Sequence, residues 1–329
     1  MKYLVTGSAG FIGFHLSRRL LELGHEVFGI DNLNNYYDVK LKNDRNAILM
    51  DFPNYFFNQI DVAEIDGLRM IFSNHKPNIV IHLAAQAGVR YSIENPYIYS
   101  DSNLTGFLNV LECCRRYPVM HLLYASSSSV YGTNAKIPFS EQDKTDYPIS
   151  FYGATKKANE VMAYAYSQLY KINCSGLRFF TVYGPWGRPD MAYFSFVKNI
   201  VNGNPIKVFN YGKMQRDFTY IDDIIEGIVK ISDFLLDDGK SNKSNIPYAR
   251  IYNIGNSHPI VLEDFIDEIE RVLGISAVKE YLPMQAGDME VTYADVSALI
   301  KDTGYHPKTP FRVGIENFVK WYCAYYEKR

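Results

Sequence analysis

Apolar and polar positions change period in a regular alternation along the first 180 residues. Lys2–Thr6 is a short apolar run that predicts a strand. Ile12, Leu16, Leu20 and Leu23 then recur at helical spacing across Phe11–Leu23. Glu26–Ile30 predicts a second strand and Tyr55–Ile60 a third. Leu68–Asn74 reads as helix. Asn78–Leu83 is almost continuously apolar, the pattern of a parallel strand buried on both faces. A helix over Asn103–Arg116, a strand at His121–Ala125, a long helix over Tyr152–Tyr170 and a strand at Cys174–Phe179 complete the series. This rhythm predicts an α/β protein with a doubly wound parallel sheet. After Phe180 the elements become shorter and mixed. Gly184–Pro189 reads as a loop from its Gly and Pro content, and Asp237–Pro247 as an exposed loop.

Composition narrows the picture slightly. The chain has 329 residues, 47% hydrophobic and 21% charged, an ordinary globular balance. A net charge of −2 leaves no basic surplus for nucleic acid. No apolar run approaches the roughly 18 residues of a membrane-spanning helix. Met1–Thr6 enters the first strand with no leader to cleave. Four cysteines without a Cys-x-x-Cys pair imply a reducing, cytoplasmic setting. The seven histidines show no paired ligand spacing, so no metal is expected. The 27 Tyr and 20 Phe suit either a core or a stacking surface.

Candidate chemistry lies just after the strands, where ligands of open α/β sheets bind. Gly7, Gly10 and Gly13 form Gly-x-x-Gly-x-x-Gly between the first strand and first helix. Glycines there allow a tight turn and close approach of a pyrophosphate to a helix N-terminus. Asp31 follows the second strand and suits the adenosine ribose hydroxyls. No Lys or Arg lies between it and Lys40, which favours NAD over NADP. The plain alternative for Asp31 is a loop cap. Asp61, after the third strand, is either an adenine-edge contact or a turn aspartate.

Tyr152 and Lys156 are spaced i, i+4 and project from one helix face. An ammonium beside a phenol lowers its pKa toward working pH, giving a general base for an alcohol that loses a hydride. In a Tyr-rich chain the same spacing also occurs on surface helices. Ser126-Ser127-Ser128-Ser129 closes the strand before this helix, either as crevice hydroxyls or as a polar turn.

Together these residues resemble the extended short-chain dehydrogenase/reductase superfamily, specifically the nucleotide-sugar 4-epimerases. The resemblance spans the chain through Thr6–Gly13, Asp31-Asn32-Leu33, His82–Ala85, Ser126–Gly132, Tyr152–Lys156 and Arg216-Asp217-Phe218. It implies a Rossmann-type doubly wound parallel sheet with a smaller C-terminal α/β substrate-binding domain. Residues 1–180 would hold NAD, with segments near 217–256 returning to that domain, and 181–329 would mainly hold the nucleotide sugar. Ser127, Tyr152 and Lys156 match the catalytic triad. Phe11, Ile12, Asn32, Asp61, Val62, Leu83, Ala84, Ala85, Asn103 and Phe179 match the cofactor side. Arg216 matches a pyrophosphate arginine, its alternative being a surface ion pair. Lys207, Val208 and Phe209 join the substrate side. Family members pair through helices, so Asn103–Arg116 and Tyr152–Tyr170 are expected to form a homodimer interface with Cys113, Leu108 and Met162 as contacts.

Related dehydratases carry Asp and Glu where Ser128 and Ser129 stand, and decarboxylases carry Glu in place of Ser129. Serines at both places imply simple oxidation and re-reduction at C4. Gln86–Arg90 and Thr181–Met191 resemble the UDP-glucuronate 4-epimerases. A 4-keto uronate is a β-keto acid that loses carbon dioxide readily, so its carboxylate must be held. Thr181, Ser128 and Ser129 are the candidate donors, with Arg188 close in sequence. Arg188 is otherwise a structural loop arginine, and Arg90 either a substrate contact or a loop anchor. Gln285 stands where galactose epimerases carry a second phosphate-binding arginine. A 4-epimerase of UDP-glucose, an N-acetylated relative or an N-acetylated uronate is the neighbouring reading. An NAD sensor without turnover would not need the triad.

Overall fold

The computed structural model describes residues 1–134, 136–241, 249–285 and 288–326. Six strands, β1 (Lys2–Thr6), β2 (Glu26–Asp31), β3 (Tyr55–Gln59), β4 (Ile79–His82), β5 (His121–Ser127) and β6 (Cys174–Phe179), lie at or within about two residues of their predicted places. They are followed by β7 (Thr181–Tyr183), β8 (Ile206–Phe209), β9 (Gln215–Tyr220), β10 (Ala249–Ile254), β11 (Pro259–Val261), β12 (Lys279–Leu282) and β13 (Val291–Thr292). A seven-stranded parallel sheet has the order β10-β6-β5-β4-β1-β2-β3. Helices flank it, as a Rossmann-like fold requires. Strand order reverses between β1 and β4, and a crevice opens there beyond the strand ends. All four β4 residues are buried, which accounts for its unbroken apolar run.

Two smaller sheets lie after β6. β9 pairs with β7, β11 and β13, and β8 pairs with β12. Tyr183, Phe194, Phe218, Phe265 and Phe318 pack with them into the main core. Part of the aromatic surplus is therefore core. No helix among the described residues is long and apolar enough to cross a membrane.

Three elements depart from the sequence reading. A helix spans Val39–Met50 where none was expected. Its buried residues are Leu41, Lys42, Arg45 and Leu49, so two cations interrupt the apolar stripe on which periodicity depends. The expected helix from Asn103 instead begins as a widened π turn, Ser100–Thr105, before the regular helix Gly106–Arg116. The loop expected at 237–247 is entered by the helix Ile221–Ser241, and 242–248 lies outside the described residues.

The helix Phe151–Tyr170 is fixed at its N-terminus and at its middle. The Ser150 hydroxyl caps it by accepting from the Gly153 N–H at 3.0 Å. Further along, the buried Glu160 accepts two bonds from the Arg178 guanidinium on β6, each 2.8 Å, and one from the Ser126 hydroxyl on β5 at 2.7 Å. Arg178 also donates to the Tyr131 phenol oxygen at 3.0 Å. This network ties the helix to the ends of two central strands. Glu160→Ala would leave the Arg178 charge buried without its partner. It is expected to lower stability by about 3–5 kcal/mol in equilibrium chemical denaturation. A loss below about 1 kcal/mol would show that the pair does not anchor the helix.

Candidate active site

One cleft of about 460 Å3 collects residues from nearly the whole chain. At its base is the turn after β1. Gly7 has φ of +73°, and a Cβ there would lie 2.8 Å from the Ala84 nitrogen. A Cβ on Gly13 would lie 2.0 Å from the Gly7 oxygen. Gly10 precedes the helix Phe11–Glu22, which has no side-chain cap and no acidic residue in its first turn. Its free N–H groups and positive dipole end suit an anion.

At the end of β2, the buried Asp31 carboxylate accepts from the Leu33 N–H at 2.9 Å and the Ala9 N–H at 3.2 Å, one on each oxygen. Each oxygen keeps a lone pair for a ribose hydroxyl. Burial raises this carboxyl above its ordinary value, and Lys42, the two N–H groups and Arg45 oppose the rise. Lys42 lines the same cleft, although no cation was expected beside Asp31. Its ammonium donates to the Asn34 carbonyl at 2.8 Å and side-chain oxygen at 2.7 Å. The unforeseen helix Val39–Met50 folds it back. Asn32 and Asp61 meet at 2.8 Å, the amide donating to the carboxylate. Phe11, Ile12, Val62, Leu83, Ala84, Ala85 and Phe179 also line the cleft.

Ser127, Tyr152 and Lys156 converge further in. Ser127 ends β5, donates to the Ser129 hydroxyl at 3.2 Å and accepts from the Ser129 N–H at 3.2 Å. Burial pushes the Tyr152 phenol above its ordinary value. Hydrogen bonding with Ser127 and the nearby Arg188 guanidinium pull it back, and Asp190 opposes them. Burial alone lowers Lys156 to about 8. Its ammonium donates to the Ala125 carbonyl at 2.8 Å. Ser127 and Arg188 are thus neighbours of Tyr152 that favour its phenolate.

The other wall brings Ser128, Ser129, Thr181, Arg188 and Arg216 to the cleft. Arg188 lies in a two-pronged pair with Asp190, and the Tyr36 phenol donates to Asp190 at 3.2 Å. Arg216 donates to the Gln215 and Glu290 carbonyls, and burial lowers its pKa. Five expected site residues stand outside the cleft lining. Asn103 is buried, exchanging bonds with the Gln86 backbone at 2.8 and 3.0 Å and donating to Thr155 at 3.0 Å, so it shapes the loop after β4. Val208 is core and Lys207 is exposed. Phe209 lies under the Arg90 guanidinium at 5.1 Å, and Arg90 pairs with Asp288 at 3.4 Å. Tyr36, Lys42, Gln86 and Asp288 line the cleft without having been singled out. Gln86 opens a quoted motif. The others carry no local signal, because contacts made through folding bring them in.

A glycine turn at the sheet's switch point, with a poised phenol and lysine beside it, defines a Rossmann-fold site for dinucleotide-dependent chemistry at an alcohol or ketone. The chain belongs to the NAD dependent epimerase/dehydratase family, whose pattern matches residues 3–255. It is 44% identical over 339 residues to a probable UDP-glucuronate 4-epimerase of Rhizobium meliloti, covering 100% of this chain and 98% of that protein. It is 46% identical over 330 residues to UDP-glucuronate 4-epimerase 4 of Arabidopsis thaliana, covering 98% of this chain and 75% of the plant protein. Among solved structures, the UDP-glucuronic acid 4-epimerase of Bacillus cereus in complex with UDP-glucuronic acid and NAD superposes with a TM-score of 0.90. That match has 33% identity and covers 99% of this chain and 100% of that one.

The residues present fit NAD. The backbone contacts at Gly7 and Gly13 leave no room for a Cβ, the helix N-terminus is uncapped, and the Asp31 carboxylate retains acceptor capacity. Asp31→Ala removes the charge that repels a 2′-phosphate and leaves Lys42 facing the cleft. Preference for NAD over NADP is expected to fall about tenfold, read as the ratio of dissociation constants. An unchanged ratio would make Asp31 a turn residue only.

Proposed function

We propose that this chain interconverts UDP-glucuronate and UDP-galacturonate by NAD-dependent epimerisation at C4, without decarboxylation. The observation that carries this reading is a single cleft holding Tyr152, Lys156 and Ser127 together with Ser128, Ser129, Thr181 and Arg188. Ser128 and Ser129 occupy the places where dehydration or decarboxylation would call for an extra acid or base. The names of the relatives support the same substrate. Tyr152 accepts the 4-hydroxyl proton, with Ser127 bridging phenol and sugar. The C4 hydride passes to NAD and back, which is the chemistry that the bound cofactor supplies. Lys156, held by the Ala125 carbonyl, keeps two further N–H donors for the cofactor ribose. The 4-keto sugar turns over, and Tyr152 returns the proton on re-reduction. Thr181, Ser128 and Ser129 hold the carboxylate near the ring plane, so the breaking C–C bond stays out of line with the ketone. Arg216, which lines the cleft, is assigned to the pyrophosphate.

Residues 1–180 with β10 serve the cofactor in this reading, and 181–329 mainly the nucleotide sugar. A homodimer in the cytoplasm completes it. Leu108, Val161, Tyr164 and Leu169 are exposed on Gly106–Arg116 and Phe151–Tyr170, and pairing these helices with a second copy would cover them. Cys113, expected among the contacts, is 1% exposed within the chain and drops out. Sedimentation at monomer mass would overturn the dimer.

Tyr152→Phe removes the proton acceptor and is expected to cut epimerisation by about 10²–10⁴-fold while the fold persists. Wild-type turnover in that variant would remove Tyr152 from the mechanism. Thr181→Val deletes a bond to a charged carboxylate, worth about 1.5–3 kcal/mol. UDP-glucuronate should bind more weakly, and NMR product analysis should find more UDP-4-keto-pentose. Normal binding with no extra pentose would place the carboxylate elsewhere. Faster wild-type turnover of UDP-glucose than of UDP-glucuronate would favour the neutral-sugar reading.

A further inference from the structure

The loop that carries Arg188 is gripped by side chains from the cofactor half of the chain. Pro185, Trp186 and Gly187 offer three successive backbone carbonyls. His15, on the helix after the glycine turn, places Nε2 at 3.0 Å from the Pro185 oxygen. Burial lowers this imidazole to about 3, so the ring is neutral and its N–H donates. Arg45 Nη2 donates to the Trp186 and Gly187 oxygens. Its Nη1 donates to the Ala9 oxygen in the glycine turn at 3.0 Å and to the Tyr37 phenol oxygen at 2.8 Å.

Arg45 is 0% exposed, yet among the described residues no carboxylate forms an ion pair with it. Buried cations are usually paired, and an apolar side chain would fill the space at less desolvation cost. What a guanidinium adds is geometry, because its rigid fork can fix two separate backbone segments at once. One of those segments needs fixing. Trp186 has φ of +60°, a strained conformation for a bulky residue that persists only where its surroundings hold it. Its ring is wedged against Phe14 at 5.6 Å and Trp321 at 5.4 Å. The next residue but one is Arg188, which lines the cleft near Tyr152.

We propose that Arg45 is a positioning residue for sugar selection, joining the glycine turn to the Trp186–Gly187 backbone so that Arg188 is held at a fixed place relative to the cofactor. This inference rests on the reading of the cleft as a uronate site. Arg45 does not line the cleft, so in this proposal its effect passes through Arg188.

The test is a double-mutant cycle on the full-length, NAD-loaded protein with Arg45→Lys, Arg188→Ala and both together. Lysine keeps the charge but lacks the fork. The readout is kcat/KM for UDP-glucuronate divided by that for UDP-glucose, with NAD content and melting temperature recorded for each variant. Arg45→Lys is expected to lower the ratio about tenfold, mainly through KM for UDP-glucuronate. In the Arg188→Ala background the same change should move it less than about twofold, because the two residues act as one unit. Equal loss on both substrates overturns the proposal, as a generic packing role would produce it. An unchanged ratio, or a tenfold fall that persists without Arg188, overturns it too. Should Arg45→Lys not fold, His15→Gln loosens the same loop at Pro185. A fall in the ratio there that vanishes in the Arg188→Ala background supports the proposal, and no fall overturns it. A wild type that prefers UDP-glucose overturns the substrate reading itself, whatever the variants do.

Discussion

The contact between Gly13 and the Gly7 carbonyl sets the geometry on which the rest of the site depends. Only a residue without a Cβ lets the first helix start that close to the end of β1, since a Cβ at position 13 would lie 2.0 Å from that oxygen. The Gly7 turn packs with the same closeness against Ala84, after β4. These two approaches hold the uncapped helix N-terminus over the point where strand order reverses. The crevice that results is lined by both Asp31 and Tyr152.

The reactive end depends on electrostatics assembled from distant segments. Tyr152 and Lys156 share one helix face, but both are dominated by burial, which disfavours charge on either. Compensation reaches Tyr152 from Ser127 at the end of β5 and from Arg188 beyond β7. Arg188 is itself held by Asp190, which Tyr36 supports from the loop after β2. The surroundings of the phenol thus come from three parts of the chain. Glu160 and Arg178 keep the helix beneath it in place.

Local chemistry made much of this legible beforehand. Alternating apolar periods located six strands of the central sheet because parallel strands buried on both faces leave continuous runs. The glycine turn and the Tyr152–Lys156 pair were legible as residue types at a fixed short spacing, Asp31 from its place after the second strand, and Ser127 through the family motif. Arg188 and Thr181 were reachable through the motif around them. Val208 and Asn103 stand outside the cleft lining for a shared reason. Position in a motif does not say whether a side chain faces the cleft or the core, and packing turns both away.

What the sequence determined by itself was the element rhythm, the glycine turn and the pairing of Tyr152 with Lys156 on one helix face, all set by local backbone sterics and short spacing. Tertiary structure alone decided what those groups face. The helix Val39–Met50 escaped notice because its buried side presents Lys42 and Arg45, and a cation's burial is intelligible only once its partners are known. Those partners are Asn34 for Lys42, and Ala9, Tyr37, Trp186 and Gly187 for Arg45. Carbonyls make no pattern in a sequence, since every residue carries one. Only folding selects the few that accept the bonds.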